Sequence, residues 1–480
     1  MIPRRFLHAL LLPLLANACA PLPAERTTLP ALAIPATQHT LTALTAPTAQ
    51  PVPVHLPSWG ESLQHPELDT LIHTALRQQP DMTAARARLA AAERAGRLAE
   101  LATGLQYRAE ADITRQRLSD HGLFPTALIG KNYTQTNLNL ALSLDLDLWG
   151  RQRALLATTR SEQQATQEDL AYVRLSLASA VADSYLAWDG ALHLRNQMRA
   201  LRDIHRQLLA RLERRQQLGL DAAAPLAEAR RRLSQDEEAL HQQDYLVQSW
   251  RYRLAALLGS DPDHAADLAE PPAEPAGRTP GLPPLPATLP LDWLAQRPDI
   301  AALKARIEAA SARSEAARAA FYPDLDIKLL VGLDSLELAK LLDSTSVAGG
   351  AGAALRLPFF NQRTLQARLG LQEAEHVAAI ATYNHAILEA ARQAADACAL
   401  EDSITRRQQA HEHTLAETAT LQTLARQRQQ LGLANPLETL LAEAATLGQR
   451  MTASELQTAR LRARAALLRA LGRPPVKDTP

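Results

Sequence analysis

Leu138, Leu140, Leu142, Leu144, Leu146 and Leu148 alternate with Asn137, Asn139, Ala141, Ser143, Asp145 and Asp147. Strict period two gives a strand with one apolar and one polar face. Its expected partner is Tyr107 to Gln116, joined through a loop near 119–131 that contains Phe124-Pro125. Further along, Leu325, Ile327, Leu329, Val331 and Leu333 repeat the device, and Gly349 to Leu357 follow after a loop. Strands of ~10 residues with this dyad suit an outer-membrane barrel. A half-buried sheet in a soluble domain alternates in the same way, so the pattern alone leaves both readings open.

A second period fills the rest of the chain. From Arg151 to about Gln217 there is no proline and a single glycine, Gly190. A continuous helix of ~65 residues there would be ~100 Å long. Leu194, Met198, Leu201, His205, Leu208 and Leu212 fall at alternating steps of four and three, a coiled-coil seam. Leu226, Leu233, Leu240, Val247 and Leu254 then recur every seven residues, with Ala229, Asp236, Gln243, Trp250 and Leu257 between them. Leu437, Leu440, Ala444, Leu447, Met451, Ser454, Thr458, Leu461, Ala465 and Leu468 do the same later on. Polar and small residues in these seams point to an assembly in which several helices meet rather than a two-stranded zipper.

The two halves are copies. Arg215-Gln216-Gln217-Leu218-Gly219-Leu220 returns as Arg428-Gln429-Gln430-Leu431-Gly432-Leu433. Gln79-Pro80-Asp81 corresponds to Arg297-Pro298-Asp299, Leu148-Trp149-Gly150-Arg151 to Phe359-Phe360-Asn361-Gln362, and Ala256-Leu257-Leu258-Gly259 to Arg469-Ala470-Leu471-Gly472. This period far exceeds the ~20–50 residues of solenoid repeats, so a whole helix–strand–strand–long helix–helix unit has been duplicated. Gly219 and Gly432 are placed to end the long helices, with Pro225 and Asn435-Pro436 opening the returning ones, so two hairpin tips point the same way. The expected organisation is a first repeat over 58–259, with strands near 105–117 and 134–148, and a second over 291–473, with strands near 323–334 and 347–358. A Pro-rich connector, 260–290, separates them, and 474–480 form a tail.

Composition supports the helices and removes several functions. Lys plus Arg and Asp plus Glu both total 51, and aromatics are 4%. Balanced charge with few aromatics belongs to long helices, and without a basic block no nucleic-acid partner is expected. Arg4 and Arg5, the apolar run Phe6 to Leu15, and Ala16-Asn17-Ala18 before Cys19 read as a signal peptide over 1–18. Ala-Asn-Ala-Cys resembles a bacterial lipobox, which would acylate Cys19 at the head of a Pro-rich tether, 19–57; ordinary cleavage near Cys19 is the alternative. Ala20 after the cysteine favours the outer membrane. Cys398 then has no disulfide partner and reads as packing. His411 and His413 point in different helical directions, no Cys/His cluster has zinc spacing, and Gly349-Gly350-Ala351-Gly352 has no Lys-Ser/Thr after it. Neither catalytic, cofactor nor metal residues are expected, and no enzyme.

Four membrane strands cannot close a barrel, because the smallest single-chain barrels use ~8. Open edges in lipid leave backbone groups without partners, so copies must join, and three would supply ~12 strands. The residues also carry a resemblance. Leu289-Pro290, Trp293-Leu294, Arg297-Pro298-Asp299-Ile300, Ala309-Ala310 and Ala319-Ala320-Phe321-Tyr322-Pro323, with Trp59, Leu68 to Leu76, Pro80-Asp81 and Ala84 to Ala92 in the first half, resemble the TolC-like outer-membrane efflux factors, NodT-type lipoprotein branch. The likeness runs over about 58–473. It implies a mainly α fold with membrane β: a trimeric twelve-stranded barrel, four strands per protomer, continued by a periplasmic α-helical coiled-coil tunnel. The implied role is a passive outer-membrane exit for small molecules, with a periplasmic adaptor and an inner-membrane transporter as partners and no cofactor. A type I protein-secretion exit is the alternative within that class, and a periplasmic coiled-coil scaffold without a pore the alternative outside it.

The resemblance also assigns sites. Family members carry acidic residues after the second-tip glycine; Glu438 holds the first such position, Leu441 stands at the second, and Pro225 replaces the acid of the first tip. Glu438 is the candidate tunnel-mouth constriction, with Glu443 as helper, although Asn435, Pro436 and Glu438 also read as N-cap, N1 and N3 of a capping box. Adaptor contact falls to Leu218, Gly219, Leu220, Leu431, Gly432 and Leu433.

Overall fold

The computed structural model describes residues 28–32, 58–117, 119, 121, 130, 132–272 and 296–474. The expected signal peptide, Cys19, most of the tether, the Pro-rich part of the connector and nearly all of the tail lie outside the described residues. The elements are α1 (Trp59–Leu63), α2 (Glu67–Gln78), α3 (Pro80–Ala102), β1 (Gln106–Arg117), β2 (Asn132–Asp145), α4 (Arg151–Gln217), α5 (Ala223–Leu257), α6 (Pro298–Ala319), β3 (Asp324–Ser335), β4 (Val347–Arg356), α7 (Gln362–Gln430) and α8 (Pro436–Ala470). They form two compact units. One takes Met1–Leu32, Arg88–Gln167 and Ala302–Asn384, and the other Ala33–Ala87, Glu168–Ala301 and His385–Pro480.

The first unit holds a four-stranded antiparallel sheet in the order β1-β2-β3-β4. Its register puts Ala109 opposite Leu140, Leu140 opposite Val331, and Val331 opposite Gly349. Because side chains alternate, that register aligns one apolar face across all four strands. Tyr107, Ala109, Ala111 and Ile113 lie beside Leu138, Leu140, Leu142 and Leu144, then Ile327, Leu329, Val331 and Leu333, then Val347, Gly349, Ala351 and Ala353. The opposite face carries Arg108, Glu110, Asp112, Asn137, Asn139, Ser143, Asp326, Lys328, Asp334 and Arg356, with Leu330 its large apolar exception beside the small Ala141, Ala348 and Ala354. Tyr107, Ile113, Leu140, Leu329 and Val331 are all exposed. An apolar sheet face left largely uncovered by the described residues is not the half-buried sheet of a soluble domain.

The leucine alternation runs to Leu148, yet β2 stops at Asp145. The reason is the turn into α4. Asp147 adopts φ 41° and Gly150 φ 77°. The Asp147 carboxylate accepts the Gln152 N–H at 2.8 Å and the Arg153 N–H at 3.1 Å, answering donors that the helix start leaves without partners. Trp149 stacks on Tyr322 at 4.6 Å and donates to the Pro323 carbonyl, so the β2–α4 turn is locked to the α6–β3 turn. Buried Phe321 packs on Leu365 and Leu369, while Arg318–Glu373 and Arg160–Glu100 tie helix to helix.

In the second unit the duplication becomes geometry. Gly259 follows α5 at φ 82°, and a Cβ there would meet the Gln78 carbonyl at 2.9 Å; Gly472 follows α8 at φ 68°, and a Cβ would meet the Arg297 Cγ at 2.8 Å. Each return helix thus ends against the residues before a Pro-Asp helix start. Gln79 accepts the Asp81 N–H through its side chain. Arg297 does more, donating to Asp299, to Gln393 and to the Ala470 carbonyl at 3.0 Å while almost wholly buried. Helix α8 contacts both long helices. Toward α7 it makes a buried Arg464–Glu401 pair at 2.7 Å; toward α4 it makes Arg462–Asp183 at 2.7 Å and Gln197–Ser454 at 2.8 Å. Between the last two, Thr458 lies so close to Gly190 that no side chain fits there. This is the physical use of the lone glycine in α4 and of the polar seam positions.

Candidate functional site

Both tips are built alike. At the end of α4 the Gly219 N–H bonds the Gln216 carbonyl at 2.9 Å and the Leu220 N–H reaches back to Arg215 at 2.9 Å; after α7, Gly432 bonds Gln429 at 3.0 Å and Leu433 bonds Arg428 at 2.8 Å. This is the Schellman arrangement, which needs a left-handed residue after the last turn. Gly219 and Gly432 supply it at φ 69° and 70°, with open space where a Cβ would stand, so glycine is required by backbone angle and not by crowding. The flanking leucines are thrown outward: Leu218 is 67%, Leu220 63%, Leu431 73% and Leu433 68% exposed. All six expected contact residues therefore sit on two exposed apolar turns.

The charges at the tips differ. Arg215 forks onto Asp221 at 2.6 and 2.9 Å, closing the first turn. Hydrogen bonding to the guanidinium holds the Asp221 carboxyl below its usual range. In the second tip the corresponding position is Ala434, and Arg428 instead approaches Glu438 at 4.0 Å. Asn435 accepts the Leu437 N–H at 3.0 Å, so the N-cap and the N1 proline are formed as the capping reading has them. The Glu438 carboxylate, however, turns to Arg428. Glu443 faces Arg426 at 3.6 Å, so both acids of α8 near the tip meet arginines of α7. These arginine partners were missed in the sequence. Arg215 and Arg428 stand inside the repeated hexapeptide, which was the available signal.

Elsewhere the chemistry is structural. Cys398 is buried among Ala397, Leu467 and Ala470, and burial, then the nearby Glu401 charge, pushes its thiol up to about 11. His411 hydrogen-bonds the Gln449 carbonyl across α7 and α8. Asp145, Asp324 and Asp326 gather at the helix end of the sheet, but Arg356 bonds Asp326 and Gln152 bonds Asp145, which makes them part of the strand-to-helix joint.

The model of the outer membrane efflux protein family matches residues 71–260 and 289–473. The chain belongs to that family. Among its relatives, the multidrug resistance outer membrane protein MdtP of Shigella flexneri is 30% identical over 425 residues, 86% of either chain. The pyoverdine export outer membrane protein OpmQ of Pseudomonas putida is 29% identical and covers 86% of this chain and 87% of its own. Among solved structures, the outer membrane protein VceC of Vibrio cholerae superposes with a TM-score of 0.77 at 28% identity, covering 86% of this chain and 98% of its own. Membership of this family places the chain in the outer membrane, and the exposed apolar face of the sheet is the surface that meets lipid.

Proposed function

We infer that this chain is the outer-membrane component of a tripartite efflux system, a passive trimeric exit duct for small molecules handed on by an inner-membrane pump through a periplasmic adaptor. The observation that carries the reading is the sheet: apolar on one face, polar on the other, and, among the described residues, open at both edges. In strict antiparallel order β1 and β4 run oppositely, so β4 of one copy can pair with β1 of the next by the same rule that orders the sheet. Three copies give about twelve strands, within the range of membrane barrels, with apolar rows toward lipid and polar rows toward the lumen. Small-molecule cargo is favoured over secreted protein because the names of MdtP and OpmQ speak of drug resistance and pyoverdine export.

In this reading Leu218, Gly219, Leu220, Leu431, Gly432 and Leu433 meet the adaptor, and Glu438 lies at the mouth of the tunnel. Acylated Cys19 would add a lipid anchor without a spanning helix. The full-length protein extracted in detergent should run as a heat-sensitive trimer and give discrete conductance steps in planar lipid films. A water-soluble monomer that leaves such films silent overturns the reading.

A further inference from the structure

The lipid-facing rows of the sheet end differently at their two rims. Near the helices the border carries Trp149 stacked on Tyr322, and Phe360, which is 98% exposed. At the opposite rim, away from Gln106 and Asp145 where α3 and α4 join the sheet, the described end of the β1 row is cationic. The period of two that places Tyr107, Ala109, Ala111 and Ile113 on the apolar face of β1 continues through Arg115 and Arg117. The row changes character there: Ile113 faces Thr136, which faces Ser335, and the next rows pair Arg115 with Thr134 and Arg117 with Asn132.

Depth follows from length. On β3 the apolar stretch from Leu325 to Leu333 matches the ~9–11 residues with which a strand crosses a bilayer. Ser335 is level with Ile113, so Arg115 lies one pleat beyond the hydrocarbon. An arginine on a barrel's lipid face costs ~2–4 kcal/mol at the midplane and ~0–1 kcal/mol near an interface. The border is therefore where Arg115 can point outward, and what it meets there is headgroup. Of the acids described nearby, Glu337 is answered by Lys340 at 2.7 Å and the Asp343 charge also acts on Lys340, while Asp112 and Asp334 turn to the polar face, where Asn137 donates to Asp112 at 3.1 Å.

We propose that Arg115, with Arg117 one pleat farther out, binds a phosphate of lipid A in the outer leaflet and so sets the height of the barrel in the membrane. The inference rests on the proposed channel function, which puts this rim outward. A guanidinium presents a planar fork matched to phosphate oxygens, and pairing at the edge of hydrocarbon is less screened than in bulk water.

The detergent-solubilised full-length trimer is titrated with bisphosphorylated lipid A, with the same lipid after phosphatase treatment, and with phosphatidylglycerol, and bound lipid is counted by native mass spectrometry. Bisphosphorylated lipid A should bind at least tenfold more tightly than the dephosphorylated form and resist displacement by equimolar phosphatidylglycerol. Arg115→Gln should weaken it about tenfold, Arg115→Lys less, and the double variant with Arg117→Gln more. Equal binding of the two lipid A forms, displacement by phosphatidylglycerol, or unchanged affinity in Arg115→Gln overturns the proposal. Should the double variant fail to assemble, the phosphatase comparison on the unsubstituted trimer decides. Pores with unaltered lipid preference defeat this inference alone, whereas a protein that forms no pores defeats the channel reading beneath it.

Discussion

Arg297 gives the Arg-Pro-Asp block a physical meaning. Proline at the first position of α6 needs no hydrogen bond, Asp299 sits in the first turn where acids are favoured, and Arg297 joins that start to α7 through Gln393 and to the end of α8 through Ala470. Its guanidinium is buried, so truncation leaves polar partners stranded. Arg297→Gln should destabilise the protein by about 3 kcal/mol, and Arg297→Lys should rescue little, since one ammonium cannot reproduce a fork; thermal unfolding of the two variants checks both. Tyr185 offers a pH-dependent case. Burial raises the Glu67 carboxyl, but bonds from the Tyr185 hydroxyl at 2.6 Å, the backbone and His65 outweigh it, leaving a lowered value. A lowered carboxyl contributes stability that is fully present above its ordinary value of 4.5 and is lost as pH falls through the lowered one. Tyr185→Phe should therefore cost about 1.5–3 kcal/mol at pH 7 and show a shallower loss of melting temperature on acidification below that value.

At the scale of elements, one hexapeptide makes two turns of identical backbone and different fastening. Asp221 clamps the first to Arg215, while the second relies on the Asn435 cap and the wider Arg428–Glu438 approach. Asp221→Asn should make the first tip the faster site of limited proteolysis, whereas Gly219→Ala should cost about 1 kcal/mol from backbone angle alone; equal cleavage in Asp221→Asn and the unsubstituted protein would show the clamp to be idle. Bulky charged replacements of Leu220 or Leu433 should leave folding intact and abolish resistance in cells that depend on the duct. Much of this was legible in sequence because it is local: period two makes the sheet, sevens and fours make the long helices, and glycine after a helix makes a left-handed cap. The end of β2 was not, since the leucine alternation passes Asp145 while Asp147 is taken to cap α4. Nor were the partners of Glu438 and Glu443, which depend on how α7 and α8 are set in register, a tertiary fact that the capping pattern of α8 does not contain.

For the whole molecule, the proposed place of Glu438 at the tunnel mouth makes net charge after pairing and multiplication by symmetry the quantity to test. Each chain brings Glu438 and Arg428 to within 4.0 Å, both more than half exposed, so the pair is loose and screened. Three copies around an axis would bring like charges together, and any imbalance within one pair is then tripled where permeating ions pass. Removing either member should thus move selectivity in opposite directions: Arg428→Gln frees three carboxylates and shifts the reversal potential toward the cation limit, while Glu438→Gln leaves three guanidiniums and shifts it toward the anion limit. The double variant should return near the starting value, because the two changes cancel in charge though not in chemistry. Reversal potentials across a tenfold KCl gradient in planar films provide the readout. If all four proteins give one potential, these groups do not line the narrowest part of the path; if Glu438→Gln alone responds, the carboxylate acts there without Arg428 as its counterweight.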